Sequence, residues 1–572
     1  MYSKDEPWIA EREATVCTWK FDYDRGYISN MNVSLINDFM CLSERQLQNY
    51  AAMIKECGFT GVQVMDICAA WRASGGWENV HDKFKALSRA CHNIGLNFTV
   101  WCWAAEFSGH GWYDPDAVYQ NADPSKPACE DERVLAVFNR YYDIYADLAP
   151  YADRVIAHFF DPGNLTDMTS IIYFIKLLAK KFRDKNPGVK IAVDTWGCPE
   201  GYPQALVDAG MTDVMLMELP FLPVWRQPGK RAAFRQSVKE LGCGLGSWGW
   251  YTADMEIDQL AYMTVNCRVL KDVFSRTRSQ ADHVMTPRYW SEIDSYHILN
   301  FFSLYAAGHL LTDPDGDPDE LLRLSARAVT GDNAENERRL LCVLELIRDA
   351  RSGDGWDSYW WTEPGYILKN YDHESILSRA GGAIAALEAL TGEPEPEDGI
   401  PFPITRRQLY RLMLPHLYQI KQYAEFCRGF EELKEMEQNG AGAEEMQSKV
   451  DSLHCGIPEY NCVTGLWGQP EARAAYERIT GFCSKNGLTA PRRSGTERYD
   501  QMRRLTDRLR VGQRGRRQRL WVDSSFYEGD AIGAGYSRSL LDELTAEGVL
   551  EKSADGKYSL SEWENLRFDF SY

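Results

Sequence analysis

At 572 residues and a net charge of −20, the chain is long enough for two or three domains and carries the wrong overall sign for a polyanionic partner. No apolar stretch reaches the ~18 residues of a membrane-spanning helix. The 15 cysteines are an odd number with no C-x-x-C pair, which argues against a disulfide framework or a zinc ribbon and for reduced thiols. The first residues, MYSKDEPWIAEREA, are charged and lack an apolar signal core, so a cytoplasmic protein is expected. A 44% apolar content allows a large core, and 18 Trp with 30 Tyr is a composition common in carbohydrate-active proteins.

The first strand-like run is 14–21 (ATVCTWKF), with a helical pattern at 43–58. Next come 61–67 (GVQVMDI) with a helix at 80–95, 96–103 (LNFTVWCW) with a helix near 132–150, and 154–161 (RVIAHFFD) with one at 165–185. The fifth run, 189–196 (VKIAVDTW), precedes a short helix at YPQALVDAG, and the sixth, 213–220 (DVMLMELP), precedes 230–242. The seventh is 244–251 (GLGSWGWY) with a helix at 256–275, and the eighth is 283–290 (HVMTPRYW) with one at 295–309. Runs this continuously apolar are those of parallel strands covered on both faces. Eight strand–helix units predict an α/β fold, a closed (β/α)8 TIM barrel over 1–312, rather than a doubly wound open sheet. Gly58, Gly95, Gly188, Gly210 and Gly242 stand just past the helices, where left-handed caps favour glycine.

Acids and indoles recur at the ends of these runs, and a barrel brings its strand C-termini to one face, where active sites lie. Glycoside hydrolysis uses one protonated and one ionised carboxyl. Glu218, in the apolar VMLMELPFLP, is the expected proton donor, because desolvation raises a carboxyl pKa; the competing reading pairs it with an arginine. Asp161 opens into Pro162-Gly163-Asn164, a donor-rich turn that suits a nucleophile or base. Asp194 stands between them and could replace either, with Glu106 as a fourth candidate. Trp103, Trp196, Trp248, Trp250 and Trp290 are expected to stack on sugar faces, Arg288 to meet a substrate carboxylate and Asp66 to bind substrate; Asp66 and Glu292 are weaker catalytic candidates, with bracing of the barrel as the competing reading of each. His158 reads as a core histidine. No HExxH, GxSxG or P-loop occurs, so neither metal nor cofactor is expected.

After the barrel, TDPDGDPDELLRLSARAVTG reads as a turn and N-cap rather than a calcium loop, since Gly316 stands at the fourth position instead of the sixth. Amphipathic patterns at 319–352, 373–392 and 404–437 predict a helical domain over 313–437, leaving 438–572 as a mixed α/β extension. Within it, 501–520 is basic, and 537–560 resembles the recognition helix and wing of a winged helix. A solvated face or an intersubunit contact is the preferred reading, and no nucleic-acid partner is expected.

A barrel with Trp-rich strand ends, followed by DPDGDPDELLRLSARAVTG and helices, resembles glycoside hydrolases of the α-glucuronidase and hexosaminidase-type group over residues 14–435. The resemblance implies a (β/α)8 glycosidase with an all-helical second domain. Two departures stand out. HFFDPGN offers one acid where hexosaminidases carry an adjacent pair, and the α-glucuronidase catalytic set is not matched residue by residue.

The combined reading is an exo-acting glycosidase for small oligosaccharides, without a membrane partner and with self-association left open. The alternatives are a sugar isomerase or epimerase, which would usually need a His-and-acid metal cluster, and a non-catalytic carbohydrate-binding or regulatory protein.

Overall fold

The computed structural model describes residues 6–17, 42–66, 77–103, 125–158, 167–196, 198, 201–219, 228–249, 251–252, 263–281, 284–294, 298–351, 368, 371–453, 470–490, 525–533, 537–546 and 550–560. Eight parallel strands close into a barrel in sequence order: β1 (Glu11–Cys17), β2 (Gly61–Asp66), β3 (Asn97–Trp103), β4 (Arg154–His158), β5 (Lys190–Asp194), β6 (Met215–Glu218), β7 (Gly244–Gly249) and β8 (Tyr289–Asp294). Around them run α1 (Glu44–Glu56), α2 (Trp77–Asn93), α3 (Glu132–Tyr145), α4 (Met168–Lys185), α5 (Tyr202–Asp208), α6 (Pro228–Glu240), α7 (Cys267–Ala281) and α8 (Phe301–Thr312). This is the (β/α)8 architecture that the alternation of runs predicts.

Local chemistry sets the helix ends. Ser43 and Gln46 form a reciprocal capping box on α1, and Asp131 and Asp167 cap α3 and α4. Gly58, Gly95, Gly210 and Gly242 take positive φ after their helices, whereas α4 ends at Asn186, two residues before Gly188. The eighth strand differs from expectation. It runs 289–294, not 283–290, so the residues expected at its C-terminal end stand at its start.

Beyond the barrel, Asp317 caps α9 (Pro318–Thr330), with Pro318 and two acids in the first turn, as the turn-and-cap reading has it. The single helical pattern at 319–352 is two helices. Gly331, at φ 67°, ends α9 before α10 (Ala334–Ala350) begins. Then come α11 (His373–Thr391), α12 (Arg406–Gln438), α13 (Ala443–Ser452) and α14 (Pro470–Asn486). One core cluster runs without a break from Trp8 through the barrel and into α12 as far as Ala424. A second joins the last turns of α12 to α13 and α14 through Phe426, Phe430, Val450 and Ile479. The C-terminal residues form β9 (Ser525–Tyr527), α15 (Glu528–Gly533), α16 (Arg538–Ala546), β10 (Leu550–Lys552) and β11 (Lys557–Leu560), with an antiparallel sheet ordered β10-β11-β9. No helix among the described residues is long and apolar enough to cross a membrane.

Candidate active site at the barrel mouth

Which side chains face the barrel axis follows from register. Arg154 on β4 reaches Glu13 on β1 at 3.2 Å, and the Tyr289 hydroxyl on β8 donates to Glu13 at 2.7 Å, so these three lie inside. The strand pairs carry that parity round the barrel. Thr99 lies opposite Arg154, Trp101 opposite Ile156, Ile156 opposite Ala192, Ala192 opposite Met215, Met215 opposite Gly244, and Gly246 opposite Tyr289. Alternation along a strand then puts His158, Asp194, Met217 and Trp248 inside. Leu216, Glu218 and Ser247 face outward, toward the helices.

The lower interior is polar. Arg154 ion-pairs with Glu11 and Glu13 and lies 4.0 Å from the centre of the Tyr289 ring. Gln63 Oε1 accepts from Ser291 at 2.7 Å, and Ser291 meets Thr15 at 2.8 Å. Burial lifts the Glu13 carboxyl above its ordinary value, with Arg154 and the Tyr289 hydroxyl pulling the other way.

At the C-terminal end of the interior, His158 Nδ1 meets Asp194 Oδ2 in an ion-pair contact, both side chains being buried. Asp194 Oδ1 accepts from Trp248 Nε1 at 2.9 Å and from the Trp196 backbone N–H at 3.2 Å. Trp101 stands edge-on to Trp248 at 4.9 Å and lies 5.3 Å from the His158 ring; Trp196 lies 6.0 Å from Trp248. Two hydrogen-bond donors, one from β7 and one from the end of β5, and an ion-pair contact from β4 therefore fix one carboxylate, with indoles around it. Trp196 is half-buried, while Trp101 and Trp248 beside it are each 1% exposed. The carboxylate and imidazole can hold or pass a proton.

Of the expected site residues, Asp194, Trp196 and Trp248 come together here. Asp161, Glu106 and Trp250 lie outside the described residues. Asp66 and Trp103 end β2 and β3, and their side chains lie outside the described set. Three expectations are corrected. Glu218 is fully buried on the outer face of β6, held by Arg235 of α6 through Nε at 3.1 Å and through Nη2, and by Ser247 at 2.9 Å. Burial alone would raise its carboxyl, but the Arg235 and Arg231 charges and these hydrogen bonds hold it below the usual range, the opposite of a proton donor. Arg288 precedes the first residue of β8, at the N-terminal rim and exposed, on the side of the barrel away from the strand C-termini. Trp290 is fully buried on the outer face, 5.1 Å from Phe274 and 6.4 Å from Trp8, so it packs the barrel against α7.

Sequence reasoning missed His158. Its signal was parity: it stands two and four residues after Ile156 and Arg154 on one strand. Glu292 braces rather than binds: its Oε1 accepts the N–H groups of Tyr251 at 2.6 Å and Thr252 at 3.0 Å, and its Oε2 accepts from Trp290 Nε1 at 2.9 Å. Among the described residues no group of three or more His, Cys, Asp or Glu is gathered to hold a metal ion.

No family model and no curated protein matches the chain. Solved structures similar to it include a GH138 enzyme targeting pectin rhamnogalacturonan II, at 10% identity and TM-score 0.47, over 85% of this chain and 63% of that one. CpGH84B aligns at 10% identity and TM-score 0.43, over 82% of this chain and 78% of that one. A mutant O-GlcNAc hydrolase of Thermobaculum terrenum aligns at 9% identity and TM-score 0.41, over 78% of this chain and 94% of that one. The chain thus spans less than two thirds of the length of the GH138 enzyme, and similarities this distant leave its chemistry to its own residues.

Proposed function

We propose that the chain is a glycoside hydrolase whose proton handling centres on Asp194 and His158. The observation that carries this reading is their buried contact at adjacent strand ends, ringed by Trp101, Trp196 and Trp248, on the face where (β/α)8 enzymes build their sites. Glycosidic cleavage needs a proton delivered to the leaving oxygen and a carboxylate or activated water at the anomeric carbon. The Asp194–His158 pair takes the first task, in place of Glu218. Asp161, three residues past His158, takes the second as nucleophile or base, and Glu106 binds a hydroxyl. Trp196 offers its ring to the apolar face of the sugar. Exo action on small oligosaccharides in a reducing cytoplasm completes the reading, supported by free and mostly buried cysteines among the described residues.

A panel of aryl glycosides and short oligosaccharides tests it. Turnover of at least one substrate is expected, with single units released from chain ends. Asp194→Asn and His158→Asn should each slow it about 10²–10⁴-fold while circular dichroism stays native. Asp194→Asn should suffer least on activated leaving groups. A folded wild type that turns over none of the panel, or wild-type rates in both variants, would overturn the assignment. Running free aldoses alongside would expose an isomerase instead.

A further inference from the structure

Tyr251 and Thr252, just past β7, and Met263–Asn266, just before α7, are held to one another and from different sides. Tyr251 and Thr252 give their N–H groups to Glu292 of β8, and Tyr251 O accepts from Asn266 Nδ2 at 3.1 Å. Asn266 N–H donates in turn to Ser303 of α8 at 3.0 Å. Met263 is held from outside the barrel. Its carbonyl accepts from Arg351 Nη1 at 2.8 Å, and its N–H points to His416 Nδ1 at 3.3 Å.

Arg351 caps the end of α10, and among the described residues its guanidinium is divided among four partners. Nε donates to Glu471 of α14 at 2.6 Å, Nη2 to Gln419 of α12 at 3.1 Å, and Nη1 to both Met263 O and, at 3.1 Å, His416 Nδ1. Arg351 and Glu471 are fully buried, and Gln419 and His416 nearly so. A buried cation needs a buried anion, and here the anion comes from a helix more than a hundred residues along the chain. His416 Nδ1 faces two donors, which assigns it the lone pair and places the ring proton on Nε2.

We propose that Arg351 is a positioning residue that couples α14, through Glu471, to the β7 end of the barrel, so that the C-terminal helices are part of the site's scaffold. Without Glu471 the guanidinium loses the anion it pairs with among the described residues, and its hold on the Met263 carbonyl weakens. Tyr251 and Thr252 then loosen through Asn266, directly beyond the strand that carries Trp248. The consequence for turnover rests on the glycosidase reading; the coupling itself does not.

Hydrogen exchange read by mass spectrometry on the full chain tests the coupling without a substrate. Glu471→Gln and the conservative Arg351→Lys should raise exchange at 263–267 and 249–252 by about ten- to a hundredfold, the loss expected for hydrogen bonds to a charged donor. Peptides over β3 should keep wild-type protection. Lys485→Gln, which breaks only an exposed pair between α14 and Glu437, should leave both regions unchanged. Increases confined to 470–486, equal increases over β3, or the same response in Lys485→Gln would overturn the proposal. On any glycoside the wild type cleaves, Glu471→Gln should lower kcat/KM although Glu471 is nowhere near Asp194 in sequence. Absence of any substrate would sink the glycosidase reading and leave the exchange result standing.

Discussion

Glu218→Gln separates a structural from a chemical role. In the folded chain the Glu218 carboxylate balances Arg235 and lies close enough to Arg231 to act on its charge, with all three groups buried. Gln keeps the shape but removes the charge, and turns an NH2 toward the Arg235 Nε–H that now donates at 3.1 Å. Taking one partner from a buried pair costs about 3–5 kcal/mol, and the Ser247 hydroxyl retained as a neighbour favours the lower end. A loss near 3 kcal/mol is roughly a hundredfold in the folded-to-unfolded ratio. Urea melts should show it as a lower midpoint, while kcat per folded molecule stays within about threefold of wild type, a barrier change below about 1 kcal/mol. The pH dependence has a definite sign. The folded carboxyl lies below its unfolded value of about 4.3, so the pair stabilises the fold above that pH and the contribution fades as pH falls through the folded value. The gap between wild type and variant should therefore narrow in acid. An unchanged urea midpoint together with a hundredfold loss of rate would place Glu218 in the chemistry and refute the outward register of β6.

Other variants probe different links. Trp196→Ala should raise KM by about three- to tenfold with little change in stability, because a half-buried indole contributes on the order of 0.5–1.5 kcal/mol of ring contact; an unchanged KM for every substrate would remove it from the sugar site. Gly308→Ala should destabilise by about 1–3 kcal/mol, since an added Cβ would lie 2.0 Å from the Cys57 carbonyl oxygen where α8 crosses the end of α1; a wild-type melting temperature would contradict that close approach. Arg154→Met should cost about 3–5 kcal/mol by leaving Glu13 buried without its cation, and Glu13→Gln in the same chain should recover part of the loss; strictly additive losses would deny the pairing.

The eight units were legible because a parallel strand covered on both faces reads as an apolar run. The same property hid which residues face the axis. In VMLMEL neither face is polar, so nothing in the run distinguishes Glu218, turned to α6, from an inward acid such as Asp194. Inverse patterning misplaced the eighth strand. YWSEID carries four polar residues in six, yet each of those described finds a partner: Tyr289 and Ser291 in the interior network, Glu292 on the backbone beyond β7. The 283–290 run looks more like a strand by composition, but Pro287 cannot donate to a ladder. Arg235, the residue that settles the role of Glu218, lies on a helix and gives no sign in the sequence of where it reaches.

The polar floor of the barrel bears on how the chain can be divided. Dividing a (β/α)8 barrel into fragments requires each fragment to be tolerable alone. Here Glu13 and Gln63 belong to the first strands, Arg154 to the fourth and Tyr289 to the last, and their bonds span the interior. A cut between β4 and β5 strands the Glu13–Arg154 pair without the Tyr289 hydroxyl. A cut between β2 and β3 leaves an acid in one fragment and its cation in the other. Closure of the ring and neutralisation of its floor are therefore one event, and fragments of this barrel should associate only as a complete set.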